Sequence, residues 1–326
     1  MRESPIQRTG AEHDDMTPTP NRTRVLISTD AKNEADDQFA IVHALLSPTL
    51  DIRGILPAHF GNARTPDSLG ESRREVDLLL KLTPSSDAIR IADGSPTALP
   101  DERTAIDSAA ARLIIEESLT DDSSPLFIAV LGPLTDVASA LLLEPSIADR
   151  DITVVWIGGP PYDDIEAVYW PEYNLSNDVN AANVVFASGV TLWQLPMNVY
   201  TLVGVGYAEL DAKVRPHGEV GAYLVRQLLE WNASNMGRAV DFRSLGDSPA
   251  IGVILNPFGA VWKKRIAPRF APDGSMIAGA GDRRIRVCER VDTRYLLADF
   301  FAKIRQAESE RRHPPSTTKS APDAQP

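Results

Sequence analysis

The densest chemistry in the chain is the stretch Asp30-Ala31-Lys32-Asn33-Glu34-Ala35-Asp36-Asp37, which brings four carboxylates, Asp30, Glu34, Asp36 and Asp37, into one turn. It stands between an apolar run, Val25-Leu26-Ile27, and a helix-like run from Phe39 to Leu46. Crowded carboxylates repel one another unless a cation or N–H donors offset the charge. A helix N-terminus supplies unpaired N–H groups and some positive potential. A hard divalent cation, which takes about 6–8 oxygen ligands, makes fuller use of four acids. Two readings stay open here: a cation site, or an acidic loop in which Asp36 or Asp37 caps the helix.

Two further segments carry polar groups worth weighing. In Trp170-Pro171-Glu172-Tyr173-Asn174-Leu175-Ser176-Asn177-Asp178, Glu172 and Asn174 share one side of an extended chain and could both face a polyhydroxylated ligand. Alternatively, Asn177 or Asp178 caps the next helix. In Gly246-Asp247-Ser248-Pro249, Asp247 is either a distant ligand or an N-cap ahead of a first-turn proline. The histidines offer less. His13 and His313 fall near the ends, His43 reads as packing, and only His59 stands where it could donate a proton. No Gly-x-Ser-x-Gly elbow occurs, and Gly204-Val205-Gly206 lacks the third glycine of a dinucleotide loop. The single cysteine, Cys288, lies in an alternating strand-like run and excludes an internal disulfide or a multi-cysteine zinc site.

These residues need a frame. Strand-like runs at Arg24–Ser28, Ile52–Ala58, Ala88–Ala92, Leu126–Leu131, Ile152–Ile157 and Thr191–Leu195 alternate with helical patterns. The helices are expected at Asp37–Ser47, Glu71–Leu82, Thr104–Ser118, Leu134–Leu143, Asn180–Ser188 and Ala222–Trp231. Nearly all-apolar strands separated by helices imply an α/β fold, an open, doubly wound, mostly parallel sheet with a Rossmann-like core. Ligands of such sheets bind beyond the carboxyl ends of the strands. The acidic turn, His59-Phe60-Gly61-Asn62, Gly132-Pro133-Leu134-Thr135, Gly158-Gly159 and Asn198 all follow strands and so converge on that edge.

With 326 residues and 43% hydrophobic residues, the chain can bury one large core. No composition break interrupts residues 24–307, so one domain is expected, between a disordered leader (1–23) and a disordered tail (308–326). A net charge of −12 argues against nucleic acid or anionic membrane as partner. No run approaches the roughly 18–20 apolar residues of a membrane span, and the polar N-terminus lacks the apolar region of a signal peptide. A cytoplasmic protein is expected.

Together these motifs resemble the calcium-dependent inosine–uridine nucleoside hydrolase family. Its usual Asp-x-Asp-x-x-x-Asp-Asp is met here by Ser28-Thr29-Asp30 and Asp36-Asp37, with a loop two residues longer. Leu131-Gly132-Pro133-Leu134-Thr135-Asp136 resembles its Gly-Pro-Leu-Thr-Asn, and Ile157-Gly158-Gly159 its Met-Gly-Gly. Glu172-Tyr173-Asn174 with Asp178, and Gly246-Asp247-Ser248-Pro249, resemble its Glu-Phe-Asn and His-Asp-Pro motifs. The resemblance covers about residues 24–302.

It implies a Ca²⁺-dependent hydrolase that cleaves the N-glycosidic bond of a ribonucleoside or related riboside, as in purine or pyrimidine salvage. Asp30, Asp37, Asp247 and the backbone carbonyl of Thr135 would bind Ca²⁺, with Glu34 an extra ligand or a substitute for one. Asp36 would accept from ribose hydroxyls, Asn62, Glu172 and Asn174 would hold the rest of the sugar, and Asp30 would serve as general base. Carboxylates facing the ring suit the oxocarbenium character of such a transition state. Gly246 stands where many members carry the histidine that protonates the departing base. Stacking on Trp170 or Tyr169, donation by Arg243, Arg238 or His59, or an unusual substrate could each replace it. The alternative is a non-catalytic or differently acting sugar-binding protein on the same scaffold. The resemblance also implies a homo-oligomer, a dimer or tetramer.

Overall fold

A computed structural model describes residues 22–83, 88–122, 124–277 and 281–313. The apolar runs form β1 (Thr23–Thr29), β2 (Leu50–Pro57), β3 (Leu126–Val130), β4 (Ile152–Ile157) and β5 (Thr191–Leu195). Helices α1 (Asp37–Leu45), α2 (Ser68–Leu82), α3 (Ala109–Leu119), α4 (Thr135–Leu143), α5 (Tyr173–Asn177) and α6 (Val179–Ala187) connect them. Beyond β5 come α7 (Met197–Tyr200), β6 (Gly204–Gly206), α8 (Tyr207–Lys213), α9 (Gly218–Asn235), β7 (Phe242–Ser244) and α10 (Ser248–Leu255). The chain closes with β8 (Ala260–Ile266), β9 (Arg269–Phe270), β10 (Met276–Ile277), β11 (Arg284–Val291) and α11 (Thr293–Arg312).

Seven strands form one sheet in the order β2-β1-β3-β4-β5-β11-β8. All neighbours are parallel except β8, which runs antiparallel to β11 at the edge. Because β2 lies on one side of β1 and β3 on the other, the winding reverses at β1. That reversal opens a crevice at the carboxyl ends of β1 and β3.

Alternate side chains of β1 enter opposite layers. Val25 and Ile27 pack with Phe39, Ile41, Ile251 and Phe300 from α1, α10 and α11. Leu26 packs instead with Ile114, Val137 and Val185 from α3, α4 and α6. Burying each such side chain contributes roughly 1.5–3 kcal/mol, so β1 and its register with β3, from Arg24↔Leu126 to Ser28↔Val130, are held from both faces. Helix α1 is buried from Asp37 to Ala44, which gives the acidic turn a rigid downstream anchor.

Three expectations need correction. Ala88–Ala92 is not a strand: only Ile91 bridges, to Ile55, at the sheet edge. The expected tail at 308 begins too early, because α11 continues to Arg312, where Arg311 and Arg312 both pair with Glu308 across one helical turn. Residues 314–326 and 1–21 of the expected tail and leader lie outside the described residues. Strand β8, α11 and the β6–β7 ribbon, which pairs antiparallel beside the crevice, have no counterpart among the expected elements. Among the described residues no helix is long and apolar enough to cross a membrane.

Candidate active site

The acidic turn leaves β1 at Thr29 and folds back on itself: the amides of Lys32 and Asn33 both donate to the Asp30 carbonyl, at 2.6 and 2.8 Å. The lengthened loop is tied down carbonyl by carbonyl. Gln38 Nε2 donates to Ala31 O (3.1 Å), Trp231 Nε1 to Asn33 O (3.2 Å) and Gln227 Nε2 to Ala35 O (2.9 Å). Ala31 and Ala35 are fully buried. These bonds satisfy backbone groups that burial would otherwise leave without partners.

The acids do not cap helices. Asp36 precedes α1 and Asp247 precedes α10, yet neither side chain makes a capping bond. Asp36 Oδ2 instead accepts from the Gly246 amide at 2.8 Å, across the crevice. Its Oδ1 is buried without a hydrogen-bond partner; Arg243 Nη2 lies 3.6 Å away, an ion pair too long for a hydrogen bond. Thr29 Oγ1 donates to Asp37 Oδ1 at 2.5 Å. Carboxylate oxygens of Asp36, Asp37 and Asp247 lie within 4.8 Å of one another. Asp30 adjoins them, held by Asn33 Nδ2 at 3.2 Å. Gly132 permits that approach, since a Cβ there would stand 2.8 Å from Asp30 Cγ.

Burial, then Asp37, raises the pKa of Asp30 well above its ordinary range. Burial and Asp37 do the same to Asp247. Asp37 is pushed up to about 7 by burial and by Asp36. Glu34 also rises to about 7, through burial and Asp36, against the pull of Arg243. Arg243 donates to Glu34 at 2.9 Å and lies over Trp231, its Cζ 4.3 Å from the ring centroid. Arg64 also acts on Glu34, yet two guanidiniums cannot neutralise this many carboxylates. The hard oxygen donors and their convergence fit a divalent cation.

The far wall comes from the segment after β4. Glu172 caps α5 and accepts from the amides of Gly159 (2.8 Å), Leu175 (2.9 Å) and Asn174 (3.3 Å) and from Tyr200 Oη (2.8 Å). Asn174 Nδ2 donates to the carbonyls of Leu131 (2.7 Å) and Ile157 (2.9 Å), tying the ends of two strands to the crevice. Tyr169 stacks on Tyr173, centroids 4.6 Å apart, and its hydroxyl meets that of Tyr200 at 2.5 Å. The crevice is narrow, with a cavity volume of about 30 Å³, and opens to solvent.

Of the residues singled out in the sequence, Asp30, Glu34, Asp36, Asp37, Glu172, Asn174 and Asp247 line this one crevice. Three do not. Thr135 begins α4 one turn beyond the β3 end; its hydroxyl donates to Asp178 (2.7 Å) and meets His59 Nε2 (2.9 Å) in a separate buried cluster. The β3-end residue that lines the crevice is Leu131, whose carbonyl accepts from Asn174. Asn62 is exposed, turned outward after Gly61, whose φ of 72° redirects the chain. Trp170 is half exposed, while its neighbour Tyr169 turns in. His59, buried and held neutral with a pKa lowered to about 4, is spent on Thr135. Asn33, Tyr173 and Tyr200 also line the crevice. Tyr200 lies five residues past β5, at the same edge of the sheet.

The crevice thus sets a cluster of acidic oxygen donors at the switch point of a doubly wound α/β sheet. The chain belongs to the inosine-uridine preferring nucleoside hydrolase family, which matches residues 25–298. It is 24% identical over 274 residues to a probable uridine nucleosidase 2 of Oryza sativa subsp. japonica, covering 76% of this chain and 78% of that protein. It is 27% identical over 215 residues to the pyrimidine-specific ribonucleoside hydrolase RihA of Salmonella paratyphi A, covering 60% and 67%. Its fold matches a purine-preferring ribonucleoside hydrolase from Gardnerella vaginalis with a TM-score of 0.74 at 20% identity, over 88% of this chain and 99% of that one. A plant nucleoside hydrolase superposes with a TM-score of 0.70, also at 20% identity, over 86% and 98%.

Proposed function

We propose that this chain hydrolyses the N-glycosidic bond of a ribonucleoside or related riboside with Ca²⁺ as cofactor. The observation that carries the reading is the convergence of Asp36, Asp37 and Asp247 beside Asp30 at the β1/β3 crevice, in a chain of this family. Asp30, Asp37 and Asp247 would hold the cation, with the Leu131 carbonyl in the place expected for Thr135. A bound divalent cation supplies charge neutralisation and a Lewis-acidic contact for oxygen ligands.

The remaining steps belong to the protein. Asp36, fixed through Gly246 and Arg243, presents its free Oδ1 to ribose hydroxyls. Asn174 holds the sugar from the opposite wall, in a position set by its two strand-end carbonyls. With four donors already on its carboxylate, Glu172 acts by fixing Asn174 and Tyr200. Asp30 takes the proton of the attacking water, a role typically worth about 10²–10⁴-fold. Positive charge developing on the ring is stabilised by carboxylates already in position, without reorganisation.

Ribose release from a panel of purine and pyrimidine nucleosides, with Ca²⁺ and with EDTA, tests the reading. Turnover that disappears in EDTA and returns with Ca²⁺ is expected. Calcium-dependent ribose binding without cleavage of any riboside would instead establish the sugar-binding alternative, which Gly246 in place of the histidine favours.

A further inference from the structure

We propose that the Tyr173 hydroxyl is the general acid of this crevice and protonates the departing base, in place of the side chain that Gly246 lacks. The proposal rests on the riboside hydrolysis argued above and names the residue that completes it. A neutral base leaves the sugar as an anion unless a proton meets it while the C1′–N bond breaks.

The room for a side chain at position 246 is already taken. A Cβ on Gly246 would stand 3.1 Å from Tyr200 Cδ2 and 3.1 Å from Asp36 Oδ2. The Tyr200 hydroxyl meets that of Tyr169 at 2.5 Å, and Tyr169 stacks on Tyr173 with centroids 4.6 Å apart. Three tyrosines thus occupy the wall beside position 246, and all three line the crevice. Tyr173 stands where the Glu-Phe-Asn motif has phenylalanine. A hydroxyl is therefore added to the wall from which an imidazole is missing.

Two of the three hydroxyls are committed: Tyr200 donates to Glu172 at 2.8 Å, and Tyr169 donates to Tyr200. That of Tyr173 has no hydrogen-bond partner among the described residues. With the residue 39% exposed, it is free to meet a ligand and to exchange with solvent. Its place is nonetheless fixed. The ring is stacked on Tyr169, Glu172 before it accepts from Gly159, Leu175 and Tyr200, and Asn174 after it is tied to two strand-end carbonyls.

The other protons of the crevice are engaged. Gly246 gives its amide to Asp36, Asn174 donates to Leu131 and Ile157, and Asn33 donates to Asp30. Glu34 is the rival, since burial raises it to about 7. It accepts from Arg243 at 2.9 Å, however, and a guanidinium partner favours the ionised form. It also belongs to the acidic turn, the same side as Asp30. In a direct displacement the water approaches, and the base departs, on opposite faces of C1′. Tyr173 lies on the wall that faces the acidic turn across the crevice.

The step balances. The C1′–N bond breaks with its electron pair moving to the base, which takes the phenolic proton of Tyr173. The water oxygen bonds to C1′, and its proton passes to Asp30. The tyrosinate then recovers a proton from solvent as Asp30 releases one. Riboside and water thus give ribose and neutral base, with no net change in protons.

Tyr173→Phe, which keeps the ring and its stack, makes the test on two substrates. One is inosine or uridine, whichever the wild type turns over faster. The other is 4-nitrophenyl β-D-ribofuranoside, whose leaving group departs as a stable anion and needs no proton. The loss in kcat/KM on the nucleoside should exceed the loss on the nitrophenyl riboside by roughly 10²-fold or more. Glu34→Gln should lower both by the same factor. Equal losses on the two substrates in Tyr173→Phe, or a nucleoside-selective loss in Glu34→Gln, overturn the proposal and leave the hydrolase reading intact. So does a wild type that cleaves only the nitrophenyl riboside. A wild type that cleaves no riboside overturns both.

Discussion

Asp37→Asn should make the metal-free protein more stable as it removes function. Asp37 is 2% exposed, and its pKa stands at about 7 against an ordinary 3.8. The folded state therefore prefers the neutral carboxyl. The associated stability is full below about pH 4 and is lost as pH rises through 7. Each tenfold in proton affinity is worth about 1.4 kcal/mol, so the loss amounts to about 4 kcal/mol. Asparagine keeps the acceptor for Thr29 Oγ1 and offers an amide donor to Asp247, without the charge. Lowered histidine pKa values act in the opposite direction: His59, at about 4, and His43 both add stability as pH rises through the ordinary value of 6.5. They are common to both proteins and cancel in the difference. Thermal unfolding by calorimetry in EDTA should thus give nearly equal midpoints at pH 4.5. By pH 8 the variant should unfold on the order of 10 °C higher, and added Ca²⁺ should reverse the order. Parallel curves in EDTA across this range, or a variant less stable throughout, would refute the electrostatic account of the turn.

Other substitutions probe the remaining parts. Thr135→Val leaves Asp178 without a hydroxyl donor and His59 without its partner, so chemical denaturation should show a loss of about 1–3 kcal/mol, while calorimetric Ca²⁺ affinity stays within twofold. Tyr200→Phe removes the donor to Glu172 and the partner of Tyr169; steady-state kinetics should show kcat/KM falling roughly tenfold, mainly through KM. Arg243→Leu leaves Glu34 and Asp36 unopposed and should destabilise the protein by roughly 3–5 kcal/mol at pH 8. The double variant with Glu34→Leu should recover part of that loss in a double-mutant cycle.

The frame of the site was legible because parallel strands covered on both faces leave long apolar runs, as in Val25–Ile27 and Ile152–Ile157. Polar clusters that follow such runs converge by topology, which placed Asp30 at the sheet edge, while Asn174 and Asp247 joined it only through the family resemblance. What stayed hidden depends on local geometry. Thr135 and Leu131 are four residues apart, and only the start of α4 decides which meets the crevice. Asn62 follows a glycine with positive φ that turns it to solvent. Strand β8 carries Lys263, Lys264 and Arg265 on an exposed edge, which hides its pairing with β11. Tyr200 reaches Glu172 across 28 residues of sequence, a contact that no local pattern encodes. The capping readings of Asp36 and Asp247 fail for a physical reason: Gly246 N–H and the neighbouring carboxyls outcompete the helix ends for them.

Ribose release measured against free Ca²⁺ concentration, in the wild type and in Asp247→Asn, tests the central claim most directly. Activity should rise from zero in EDTA along a single-site saturation curve, and the midpoint in Asp247→Asn should move to roughly 10–100-fold higher Ca²⁺. Full activity in EDTA, or superimposable curves for the two proteins, would contradict the assignment of this crevice as a metal-dependent hydrolytic site.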